Sequence, residues 1–223
     1  MTAPDLTHVE TWLFDLDNTL YPLETEFMTL IEGRMTDFME KVTGLPRDEA
    51  RMIQKAYYHE HGTTLAGLMA NNHDLDPEDF LTEVHDVALD RLTPDVKMAQ
   101  ALKRLPGRRL VFTNGSAAHA ERVLERLQIA DAFEDVFHIS AADYIPKPSP
   151  VTFEKMMARH AVSPKGAAFF EDSEKNLAPA AVLGMTTVLV GPHAAASTAD
   201  FVHHRTNDLP GFLAGATVRD SAA

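Results

Sequence analysis

The sequence predicts an α/β protein: a doubly wound, mostly parallel (Rossmann-like) sheet with a small helical domain inserted after its first strand. Two observations carry this. From Thr93 onward, short apolar runs alternate with helix-length segments, as crossovers between parallel strands covered on both faces require. Between Thr19 and Leu92 the apolar residues recur only at helical spacing, with no strand signal among them. The expected division is a core of residues 1–20 and 93–223 and a helical unit of residues 21–92.

Thr11-Trp12-Leu13-Phe14 is the first strand, an apolar run short enough to be fully buried. Phe27, Leu30, Ile31, Met35, Phe38, Met39 and Val42 mark the first helix, and Gly44 with Pro46 stops it. A second helix is expected over Arg47–His59 and a third over Thr64–Met69. A fourth opens at Asp76-Pro77 and carries Phe80, Val84, Val87 and Leu92. In the alternating half, helices are expected at Pro94–Leu105, Ser116–Leu127, Pro150–His160, Ser173–Leu183 and Leu209–Leu213. Strands are expected at Arg109–Thr113, Val136–Ile139, Ala167–Phe170 and Thr187–Val190, with a last edge strand at Phe201–His203. Ala194–Ser197 reads as a loop and Ser221–Ala223 as a frayed end.

Composition narrows the function classes. A chain of 223 residues, 45% hydrophobic and 24% charged, buries a real core. A net charge of -13 opposes any broad grip on nucleic-acid polymers or anionic membranes, yet leaves room for a small phosphorylated metabolite. There is no cysteine, which removes disulfides and thiol nucleophiles and suits a cytoplasmic setting. Met1–Glu10 is polar and acidic, unlike a signal peptide, and no apolar run reaches membrane-spanning length. A monomer or a homodimer is expected.

The polar residues gather where strands end. Asp15 and Asp17 follow the first strand on one face. Two carboxylates about 4 Å apart repel by roughly 4 kcal/mol at an effective dielectric of about 20, so the pair needs a proton, a cation or solvent. Thr113-Asn114-Gly115-Ser116 offers hydroxyl, amide and backbone N–H donors at a helix start, a place to cradle an oxyanion. Lys147 sits between Pro146 and Pro148, and Glu171-Asp172-Ser173 adds two carboxylates. Singly, these are a solvated acidic turn, a helix cap, a loop lysine and an N-cap. Together, at strand ends sharing one edge of a parallel sheet, they outline one crevice with a carboxylate nucleophile, a carboxyl acid/base and a hard divalent cation.

In this arrangement the chain resembles the haloacid dehalogenase-like hydrolase superfamily. Asp15, Asp17 and Thr19 match its Asp-x-Asp-x-Thr motif, Thr113 its second motif, Lys147 its lysine and Glu171-Asp172 its acidic pair. The helical block stands where that superfamily carries a cap. The stretches Trp12–Pro22 and Tyr58–Leu65 are similar to a subgroup described as pyrimidine 5′-nucleotidases. The resemblance implies Mg²⁺ held by Asp15, the backbone carbonyl of Asp17, Asp172 and Glu171, with phosphate bound by Thr19, Thr113, Asn114, Gly115 and Lys147. It implies an aspartyl-phosphate on Asp15, with Asp17 as proton donor and acceptor. Asn176 departs from the pattern, standing where many members carry an aspartate, and is expected only behind the metal ligands.

Arg51, Lys55, Tyr57, Tyr58, His59 and His61 are the cap residues placed to meet a leaving group, by stacking or by touching a second anion. His203-His204 is expected to flank the last strand, one side chain in and one out. Asp17 favours phosphoryl transfer over dehalogenation, because a halide leaves without a proton. The expected substrate is a pyrimidine nucleoside 5′-monophosphate. The alternatives are a sugar phosphate or other small ester, including mutase action, and a phosphate-binding module without catalysis.

Overall fold

β1 (Thr11–Phe14) is buried along its whole length, as an unbroken apolar strand inside a doubly covered sheet has to be. In the computed structural model, which describes residues 3–219, β1 is central to a six-stranded sheet. The other strands are β2 (Arg108–Phe112), β3 (Asp135–Phe137), β4 (Ala167–Glu171), β5 (Thr186–Val190) and β6 (His204–Thr206). They pair in parallel in the order β3-β2-β1-β4-β5-β6, with Leu13 opposite Leu110 on one side and Phe169 on the other. The segment 221–223, read as a frayed end, lies outside the described residues.

Four helices follow β1: α1 (Phe27–Thr43), α2 (Arg47–His61), α3 (Thr64–Ala70) and α4 (Pro77–His85). Their stops and starts are chemically explicit. Gly44, at φ 69°, closes α1 by donating to the Glu40 carbonyl. Thr63 caps α3 through the Ala66 N–H, and Asp76 caps α4 through the Glu78 N–H ahead of Pro77. Phe38, Met39, Ala50, Leu65, Leu68, Phe80 and Val84 form a core among these helices.

The remaining helices are α5 (Val96–Arg104), α6 (Ala117–Arg126), α7 (Pro150–His160), α8 (Glu174–Leu183) and α9 (Leu209–Gly215). Strand alternation sorts them onto two faces. Trp12 and Phe14 join Met98, Leu102, Val123 and Leu213 in one core, so α5, α6 and α9 cover that face. Leu13, Phe112 and Phe169 join Phe153, Met156, Leu177 and Ala180 in the other, under α7 and α8. This is the doubly wound arrangement.

Four elements differ from expectation. The fourth helix stops at His85 and does not continue to Leu92. Arg122 donates to the carbonyls of His85 and Val87, and Arg126 to those of Leu89 and Leu92, satisfying these groups outside a helix. The edge strand is His204–Thr206, not Phe201–His203, because Thr187 holds His203 and the Phe201 carbonyl by side-chain bonds ahead of the ladder. β3 ends at Phe137, and Ile139–Ala142 turns into a 3₁₀ helix. Ala194–Ala196 is a short 3₁₀ turn where a loop was expected.

Candidate active site

The loops after β1, β2 and β4 meet at one edge of the sheet, facing α1–α4 across a cavity of about 560 Å³. Asp15, Asp17, Thr113, Asn114, Gly115, Glu171, Asp172 and Asn176 line it. The distant polar stretches of the sequence are thus neighbours in space.

Lys147 is the electrostatic centre, 1% exposed. Its Nζ donates to Asp15 Oδ1, Glu171 Oε2 and the Phe112 carbonyl, each at 2.7 Å. An ammonium has three protons, and all are used. Lys147 therefore fixes the two carboxylates, and it is absent from the cavity wall where a direct phosphate contact was expected. Burial alone would lower its pKa; the charges of Asp15 and Glu171 raise it instead.

Three further expected phosphate donors have other partners. Asn114 clamps the lysine loop: its Oδ1 accepts from the Lys147 N–H at 2.8 Å, and its Nδ2 donates to the Lys147 carbonyl at 3.3 Å. Thr19 is 3% exposed and donates to Asp15 Oδ2 at 3.3 Å, behind the nucleophile position. The Gly115 N–H donates to Thr113 Oγ1 at 2.9 Å, which closes the turn and leaves the Thr113 hydroxyl proton available. Thr113, Asn114 and Gly115 all line the cavity, and of their groups the Thr113 hydroxyl keeps a proton to donate there.

Asp15, Glu171 and Asp172 present oxygens within 4.8 Å of one another. Burial raises the pKa of all three, and their mutual repulsion adds to it, carrying Asp172 to about 6. One ammonium does not neutralise three carboxylates. Asn18 Oδ1 and Asn176 Oδ1 are buried acceptors without a partner among the described residues, and both residues line the same cavity. An all-oxygen, electron-rich cluster with spare acceptors fits a hard divalent cation. Glu171 is the least free of the three, since its Oε2 meets Lys147 and its Oε1 accepts from the Ser173 N–H at 3.1 Å. Asp17's carboxylate stands outside the cluster, leaving only its backbone carbonyl as a candidate ligand.

Asp17 has its own surroundings. Its Oδ1 accepts from Tyr21 Oη at 2.6 Å and from His119 Nε2 at 2.9 Å. Burial opposes its ionisation, but His119 and the two hydrogen bonds prevail and hold its pKa below the usual value. Sequence reasoning missed both partners. Tyr21 lies four residues beyond Asp17 and His119 three beyond the Ser116 cap, spacings that acquire meaning only once β1 and β2 are adjacent.

Among the α2 residues singled out, Arg51, Lys55 and Tyr58 line the cavity, whereas Tyr57, His59 and His61 do not. Tyr57 Oη instead meets His73 Nε2 at 3.1 Å. Lys175 reaches from α8 to lie 3.8 Å over the Tyr58 ring. His203 Nδ1 accepts from the Thr187 N–H at 3.0 Å, an engagement within the fold.

Fold and site define a doubly wound α/β protein whose strand tips hold an acidic crevice clamped by one buried lysine. The model of the haloacid dehalogenase-like hydrolases matches residues 9–184, and the chain belongs to that family. It is 31% identical over 193 residues to Phosphate metabolism protein 8 of Saccharomyces cerevisiae, covering 80% of this chain and 60% of that protein. It is 32% identical over 184 residues to the Escherichia coli fructose-1-phosphate phosphatase YqaB, covering 79% of this chain and 93% of that one. The crystal structure of a phosphatase of this family from Thermococcus onnurineus superposes with a TM-score of 0.61 at 20% identity, over 93% of this chain and 99% of that chain. The chain thus spans 60% of the length of the yeast relative.

Proposed function

We propose that this crevice hydrolyses a small phosphate monoester through an aspartyl-phosphate on Asp15. The observation that carries the reading is the clamp of Lys147 on Asp15 Oδ1, beside a second carboxylic acid, Asp17, that is held separately. A buried ammonium keeps a carboxylate oriented and ionisable, which a nucleophile needs. The Escherichia coli relative, named as a fructose-1-phosphate phosphatase, and the yeast relative, named for phosphate metabolism, support the substrate class.

Mg²⁺ fits the oxygen set, with Asp15, Asp172 and the Asp17 carbonyl as its ligands and Glu171 and Asn176 supporting them. When bound, such an ion offsets phosphoryl charge that the carboxylates would otherwise repel. The chain's own groups account for the bond changes. An Asp15 oxygen forms a bond to phosphorus as the bond to the leaving oxygen breaks, and Asp17, protonated once the negative charge of the bound phosphate raises its pKa, gives that oxygen its proton. Asp17 then takes a proton from water, whose oxygen attacks phosphorus and returns Asp15 as a carboxylate. Thr113 donates to a phosphoryl oxygen.

For the leaving group, the wall supplied by Met28, Ile31, Leu65, Phe80 and Val84 is apolar and suits the flat face of a base. A nucleoside 5′-monophosphate, with a pyrimidine base, is the substrate we infer. The sugar-phosphate reading is favoured by the Escherichia coli relative. Phosphate release from a panel of nucleoside monophosphates and sugar phosphates, with Mg²⁺ and with chelator, tests both. Release is expected from the nucleotides, to be abolished by chelator and restored by Mg²⁺. Equal rates across the panel would remove the nucleotide preference, and full activity in chelator would remove the metal.

A further inference from the structure

We propose that His119 and Tyr21 are positioning residues for Asp17: by jointly occupying its Oδ1, they assign proton transfer to Oδ2. The inference rests on Asp17 being the acid and base, and adds what aims it. Both donors reach the same oxygen, at 2.6 Å and 2.9 Å. Among the described residues no donor reaches Oδ2, which lies on the side of Gly115, a residue of the cavity wall. His119 is shut away, its side chain 1% exposed, while that of Asp17 is 19% exposed. The carboxylate is therefore held from behind and open in front.

The imidazole is buried and packed against other rings. Its ring lies 4.2 Å from that of His85 at an interplanar angle of 13°, and 6.1 Å from that of Phe27 at 3°. Tyr21 meets Phe27 edge-on at 5.5 Å, so the two donors share one aromatic wall. The His119 Nδ1 is buried and has no partner among the described residues, so the imidazole makes its one side-chain hydrogen bond through Nε2. Phe27 opens α1 and His85 closes α4, so both ends of the helical block grip the ring that holds Asp17. A histidine kept only for packing would not need its one bonded nitrogen on the acid.

The consequence is a dependence on leaving group. A nitrophenolate departs without a proton; an alkoxide does not. The constant kcat/KM, which reports steps up to phosphoryl transfer, is measured for 4-nitrophenyl phosphate and benzyl phosphate with His119→Met, His119→Gln, Tyr21→Phe and Asp17→Asn. His119→Met and Tyr21→Phe are expected to lower the benzyl phosphate value about 10- to 100-fold, within the range of acid–base catalysis. The loss on 4-nitrophenyl phosphate is several-fold smaller, and His119→Gln, which keeps a donor at similar reach, recovers much of the benzyl phosphate rate. Tyr21→Phe retains the aromatic wall and tests the claim even if His119→Met does not fold. If Asp17→Asn discriminates between the substrates but the His119 and Tyr21 variants lose both equally, or lose neither, the positioning role is wrong. If Asp17→Asn itself shows no discrimination, Asp17 is not the acid and both readings fall.

Discussion

At the scale of single residues, burial decides which groups carry charge. His85 is 8% exposed, and burial, with the adjacent His119 ring, lowers its pKa to about 3. It is neutral in the fold across ordinary pH, whereas unfolded it titrates near 6.5. Above that pH neither state binds the proton and nothing is lost. As pH falls below about 6.5 the unfolded chain takes up a proton that the fold refuses, costing about 1.4 kcal/mol per unit. Urea titrations at pH 7.5 and 5.0 are therefore expected to show His85→Gln losing about 2 kcal/mol less stability than the parent. Equal losses would mean His85 is protonated in place. Asp15, Lys147 and Asp172 were legible in the sequence because each ends or follows a strand and has a definite chemistry. The bonds that occupy Thr19, Asn114 and Glu171 were not. They depend on which acceptor the fold brings near, and no spacing records that.

At the scale of elements, caps and periodicity were the readable part. Pro150–His160 lies where it was expected, because a proline opens it and its apolar face repeats cleanly. The misjudged fourth helix kept apolar residues at helical spacing through Val87 and Leu92. What ends it is a pair of arginines from α6, remote in sequence. Close packing was equally hidden. Gly67, inside α3, faces Tyr57 of α2 so tightly that an added Cβ would overlap the tyrosine Cβ and Cγ. Helix propensity favours alanine there, but overpacking outweighs it. Gly67→Ala is expected to destabilise by about 1–3 kcal/mol, read as a lower urea midpoint at unchanged slope. A midpoint at or above the parent's would show that α2 and α3 separate without penalty.

At the scale of the whole molecule, a parallel sheet makes one edge from all its strand tips, and the chemistry collects there. That rule let polar residues far apart in the chain be read as one site. It did not give the division of labour within the site, in which Lys147 and Thr19 hold Asp15 while His119 and Tyr21 hold Asp17. Both aspartates are immobilised by the protein, and the space between sheet and helices is left for a substrate. The most direct test is phosphate release from 4-nitrophenyl phosphate by the parent and by Asp15→Asn, at saturating Mg²⁺ and with matched circular dichroism. The parent is expected to turn over, while Asp15→Asn keeps the fold and loses turnover. A folded Asp15→Asn protein that releases phosphate at a rate near the parent's would contradict the account.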